Sequence, residues 1–152
     1  MPQTAIFLPV TVLALWTLLV LLLVPIRRFA AASQKKVTAE DFRFGESANV
    51  PGDVAIANRA WMNLLEAPLL FYVASLVFYV TAGVEGPVLI LAWAYVGLRI
   101  AHTLIHVTYN KVFHRLTAFA LSNIVLVMLW MRLLTSLLSV SGASTASRAR
   151  YC

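Results

Sequence analysis

Two short stretches of this chain place ionisable side chains at helical spacing inside apolar sequence. Arg59, Asn63 and Glu66 stand at i, i+4 and i+7, and Arg99, His102 and His106 stand at i, i+3 and i+7. At ~100° per residue each trio falls within a ~60° sector of one helix face. Tyr95 shares the face of the second trio. If the two segments form an antiparallel hairpin, residues at equal depth have a constant sum of residue numbers. Glu66 with Arg99, Asn63 with His102, and Arg59 with His106 share one sum, 165, to be read with a tolerance of about one helical turn. The innermost layer is then a carboxylate facing a guanidinium, ~15 Å from the basic end at ~1.5 Å rise per residue.

Charges at such depth cost several kcal/mol unless paired, so an ion pair between Glu66 and Arg99 is expected, within or between subunits. That pair has two readings: a lock between helices, or part of a binding site. Packing does not require the other polar groups. Arg59, Asn63, His102 and His106 point instead to a cationic pocket for a small anionic ligand, with an apolar partner arriving from the lipid. Arginines and histidines hold carboxylates, and an arginine stabilises a thiolate or oxyanion. Arg115 begins a further apolar segment at the same end; a snorkelling interfacial arginine is its simplest role. His102 and His106 at i, i+4 lack the glutamate of a zinc-hydrolase motif, and no metal site is expected. Serine-hydrolase and P-loop motifs are absent.

The elements that carry these residues are membrane helices. The chain has 152 residues, 61% hydrophobic and only 12% charged, about half the charged share (~25%) of a soluble domain. Apolar runs near one bilayer thickness recur, predicting an all-α four-helix membrane bundle with helices at about 6–26, 56–82, 88–109 and 112–140. Pro25 and the pair Arg27-Arg28 are expected to end the first. A polar loop follows over 27–55, Gly83–Pro87 and Asn110-Lys111 form turns, and 141–152 reads as a disordered tail. Pro68 is expected to kink the second helix beside Glu66.

The net charge of +6 is concentrated around one loop, with six of twelve basic residues between Arg27 and Arg59. This is the signature of a cytoplasmic loop rather than of nucleic-acid binding, and no nucleic-acid partner is expected. The N-terminal run has its basic pair after it, the reverse of a cleaved signal peptide. Both termini are then expected outside the cytoplasm, in a bacterial inner membrane or one of similar topology. Arg132 falls near the outer interface beside Trp130, as a snorkelling anchor. The single cysteine, Cys152, permits no intrachain disulfide and reads as incidental.

The run Arg59-Ala-Trp-Met-Asn63-Leu-Leu-Glu66-Ala-Pro68 resembles the Arg-x-x-x-Asn-x-x-Glu-x-Pro signature of the membrane-associated proteins in eicosanoid and glutathione metabolism, the MAPEG family. Arg99-Ile-Ala-His102-Thr103 resembles that family's third-helix motif, and Arg115 falls where catalytic members carry a key arginine. The likeness covers about Ile56 to Leu134. It implies a homotrimer with glutathione as co-substrate between subunits, held by Arg59, Asn63, Glu66, His102 and His106. It assigns Arg115 the catalytic role of stabilising the glutathione thiolate, the reactive form of a thiol. The implied activity is a transferase or peroxidase on lipophilic electrophiles or hydroperoxides drawn from the bilayer. The chain departs from the pattern at His106 and Phe119, where tyrosines are usual, at Leu116, where a polar residue is common, and at Met62, where some relatives are basic. These changes thin the glutathione contacts, and the family includes a non-catalytic member. A lipid-binding or scaffold protein built on the same trimer is therefore the alternative.

Overall fold

In the computed structural model the described residues are 2–148, with side chains described through Ser139. Four α-helices account for the fold: α1 Phe7–Ser33, α2 Gly52–Val80, α3 Gly86–Val107 and α4 Val112–Arg148. All four are long and apolar enough to cross a bilayer, so the chain is a multi-pass integral membrane protein. A bilayer core offers backbone groups no hydrogen-bond partner, so each span must satisfy its own, as a helix does.

The helices outrun the apolar segments that predicted them. Arg27 and Arg28 lie inside α1, which continues to Ser33, so the basic pair ends the apolar run but not the helix. Arginine is a good helix former, and Pro25 deletes only one helical N–H. Helix α2 starts at Gly52, four residues before the expected Ile56, and the connection shrinks accordingly. Helix α4 runs past Val140 to Arg148, so the expected disordered tail is helical over 141–148. The expectation for 149–152, including Cys152, lies outside the described residues.

Helix ends are closed locally. Lys35 (φ 56°) and Ala82 (φ 53°) adopt left-handed conformations just after α1 and α2. Lys36 N donates to Ala31 O (3.0 Å) and Lys35 N to Ala32 O (2.9 Å); Gly83 N donates to Phe78 O (2.8 Å) and Ala82 N to Tyr79 O (3.2 Å). Both are Schellman closures, which satisfy the last carbonyls of a helix. A Cβ on Gly83 would meet the Phe78 ring at 3.3 Å, so the close turn favours glycine there.

Packing places α1 chiefly against α2 and α3 chiefly against α4. The shared core contains Leu13, Val20, Leu64, Phe71, Tyr95, Val96 and Leu129. Phe71 stacks on Tyr95 at 4.7 Å between ring centroids, joining α2 to α3 near mid-membrane. Ala57, Ala60, Ala74 and Ala92 are buried at contacts where small side chains let helix backbones approach. Leu8, Leu15, Leu18 and Leu22 on α1 face outward, as lipid-facing leucines do.

The polar connection is folded. Thr38 caps a short 3-10 turn over Ala39–Phe42 in a capping box with Asp41. Asp41 accepts from Thr38 N (2.8 Å), Thr38 Oγ1 (2.9 Å) and Ser47 Oγ (2.8 Å). The Thr38 backbone N–H, followed by the Ser47 hydroxyl, holds the Asp41 carboxyl below its ordinary pKa. Arg28 fastens this loop to α1 through Glu46 (3.4 Å) and by lying over the Phe42 ring (4.5 Å). Arg27 donates to Asp53 O (2.7 Å) and to Val107 O (3.1 Å), bracing the start of α2 against the end of α3. A cation at a helix C-terminus also opposes the helix dipole. At the other end, Gln3 Oε1 accepts from Val84 N (2.8 Å), tying the start of the chain to the α2–α3 turn.

Candidate functional site

At the basic end α2 and α3 do not close on each other. A cavity of about 500 Å³ opens between them and the start of α4. Its walls bring together Arg59, Asn63 and Glu66 from α2, His102 and His106 from α3, and Arg115 from α4. All six residues that the sequence nominated for the ligand site therefore face one space. The volume falls within the ~300–1,000 Å³ range of small-molecule sites.

Helix geometry explains the convergence. On α2 the trio shares a face, and the buried stripe through Ala57, Ala60 and Leu64 turns that face away from the core and into the cavity. Asn63 Nδ2 donates back to Arg59 O (2.9 Å). The side chains of Arg59 and Glu66 have no hydrogen bond or ion pair among the described residues. On α3, His102 and His106 lie 5.9 Å apart between ring centroids, both buried. His106 Nδ1 is buried without a hydrogen-bond partner among the described residues.

Arg115 is positioned from its own helix start. Its Nη1 donates to Asn110 Oδ1 at 2.8 Å. Asn110 occupies a left-handed conformation (φ 45°) in the α3–α4 turn. Asparagine tolerates that region better than most residues, which suits it to the turn and the anchor together. By sequence alone Asn110 is marked only as a turn residue. Its left-handed propensity and its position five residues before Arg115 were the available signals.

Within a single subunit the expected ion pair between Glu66 and Arg99 does not form among the described residues. Among the described residues the ion pairs are Arg28–Glu46 and Arg43–Glu40. Arg99 is wholly buried, and its Nη2 donates to the backbone carbonyl of Asn63. Its guanidinium also lies 5.7 Å from the centre of the Phe119 ring. The Arg99 side chain is committed to the Asn63 carbonyl, and Glu66 faces the cavity instead. Arg99 thus stands behind the cavity wall, where it braces α3 against α2 and adds positive charge.

The positions that depart from the family pattern also line this space. Met62, Leu116 and Phe119 form its apolar side, and Phe119 packs on His102 at 5.6 Å between ring centroids. The result is an amphiphilic cavity: a cationic floor with one carboxylate, and an apolar wall beside the lipid-facing surface. Such a site can hold a small anionic molecule carrying one ammonium group, with an apolar reactant beside it.

Fold and cavity together define an all-α membrane protein with a cationic cavity toward one end of its helices. The family model described as MAPEG family matches residues 6–135, and the chain belongs to that family. Comparisons with curated proteins and with solved structures returned no match.

Proposed function

We propose that this protein is a membrane-bound, glutathione-dependent transferase or peroxidase acting on lipophilic electrophiles or hydroperoxides. The observation that carries the reading is the convergence of Arg59, Asn63, Glu66, His102, His106 and Arg115 on one cavity. Glutathione has two carboxylates, one ammonium group and a thiol. Arg59 and His106 suit the carboxylates, Glu66 suits the ammonium, and Asn63 suits the peptide backbone. Arg115, held by Asn110, suits the thiolate. A nearby cation favours the thiolate over the thiol and so raises the reactive fraction.

In the transferase reaction the thiol proton leaves to water at the basic end. The thiolate sulfur forms a C–S bond to the electrophile as the leaving group departs with its electron pair. With a hydroperoxide, two thiols give one disulfide, an alcohol and water. Arg115 stabilises charge at sulfur in either case, and the apolar wall of Met62, Leu116 and Phe119 receives the lipophilic reactant. The family resemblance further supports a homotrimer, with glutathione held between subunits. The excess of arginine and lysine at the cavity end supports a cytoplasmic orientation of the site; the membrane we propose is a bacterial inner membrane.

The detergent-purified protein is expected to form a thioether from glutathione and a simple aryl halide, with rates saturating in thiol. Absence of turnover with both an aryl halide and a lipid hydroperoxide would favour the second reading, a non-catalytic lipid-binding or scaffold protein. The observation behind that second reading is the apolar packing of Phe119 on His102 inside the cavity.

A further inference from the structure

A second polar place lies at the opposite end of the bundle. There α3 and α4 frame two adjoining cavities that share Arg132 and Thr135. One, about 630 Å³, is walled by Pro87, Ile90, Met128 and Met131. The other, about 270 Å³, contains Glu85, Ser136 and Ser139. Arg132 sits at their junction, and its side chain has no hydrogen bond or ion pair among the described residues. Glu85 is the N-cap residue of α3 but makes no side-chain capping bond, so its carboxylate is also uncommitted. The two charges border one small cavity without forming an ion pair with each other.

Depth makes this arrangement specific. Arg132 lies ~30 Å along α4 from Val112, about one hydrocarbon thickness, and borders these cavities with Pro87 in the first turn of α3. A guanidinium at the edge of the hydrocarbon calls for an anion or water as its partner. The apolar cavity runs from this point along the methionines, in the direction an acyl chain would take.

We propose that this end binds one phospholipid with a primary ammonium headgroup, its phosphate on Arg132, its ammonium on Glu85 and an acyl chain along Met128 and Met131. Charge complementarity selects the headgroup. A primary ammonium donates hydrogen bonds to a carboxylate, whereas a quaternary choline has no N–H and binds best within aromatic faces. A phosphatidylglycerol would satisfy Arg132 but leave Glu85 beside an anion with no cation of its own.

The test uses the full-length, delipidated protein in detergent, titrated with phosphatidylethanolamine, phosphatidylcholine or phosphatidylglycerol and read by native mass spectrometry. Phosphatidylethanolamine is expected to bind in preference to both others. Arg132→Gln should weaken it about tenfold, the scale of one hydrogen bond to a charged group. Glu85→Gln, at an exposed turn, should erase the preference over phosphatidylcholine, and it carries the test if Arg132→Gln loses helicity. Equal binding of the three lipids, a preference for phosphatidylglycerol, or unchanged selectivity in Glu85→Gln would overturn the proposal and leave Arg132 as a solvated interfacial anchor.

Discussion

Arg115→Ala is expected to lower kcat for thioether formation by about 10²–10³-fold, the loss that follows removal of one preorganised group at a developing charge. The guanidinium is held at Asn110 by one nitrogen and borders the cavity, so it meets a bound sulfur without first being ordered. Removing it raises the pKa of the bound thiol, because the thiolate loses its cation. The rate should therefore recover as pH rises, with the inflection of the pH–rate profile moved to the alkaline side. A lesion that merely loosened the helix would lower the rate without moving that inflection. Full activity in Arg115→Ala would reject the assigned role.

Glu66→Gln is expected to act on binding instead. Glu66 is the one carboxylate among the residues lining the cavity, and no described side chain pairs with it. Loss of a charge-assisted hydrogen bond to the glutathione ammonium should raise the dissociation constant about 10–100-fold, with kcat changed far less. An N-acetylated glutathione, which has no ammonium, separates this from a general defect. The wild-type protein and the variant should bind that analogue with similar affinity. Equal affinity of both proteins for unmodified glutathione would remove Glu66 from the site.

Much of this architecture is legible in the residues themselves. Run length and the scarcity of charge point to four spans, because a bilayer admits few alternatives. Helical spacing foretells the cavity lining, since i, i+3, i+4 and i+7 positions share a face whatever the neighbours do. The depth arithmetic also holds approximately: Phe71 stacks on Tyr95, a pair summing to 166, against the expected 165. What spacing does not encode is how far apart two faces stand. Helix α3 packs chiefly on α4, and α2 on α1, so the facing polar sets border a cavity rather than a closed seam. Within one subunit Arg99 consequently bonds the carbonyl of Asn63 rather than the Glu66 carboxylate. Helix ends were the least legible part, because hydropathy marks where the lipid ends and not where backbone hydrogen bonding ends. Arg27, Arg28 and Asp53 all lie within helices beyond the apolar runs. The anchoring of Arg115 by Asn110 depends on a left-handed turn geometry that residue type favours without requiring.

The most direct measurement is a titration of the detergent-solubilised protein with glutathione at neutral pH, following the ultraviolet absorbance of the thiolate. A saturable thiolate signal is expected at up to about millimolar thiol, within the ~1 μM–1 mM range common for enzyme substrates. The signal should be lost in Arg115→Ala. No thiolate signal from the wild-type protein at millimolar glutathione would contradict a thiolate-stabilising site in this cavity.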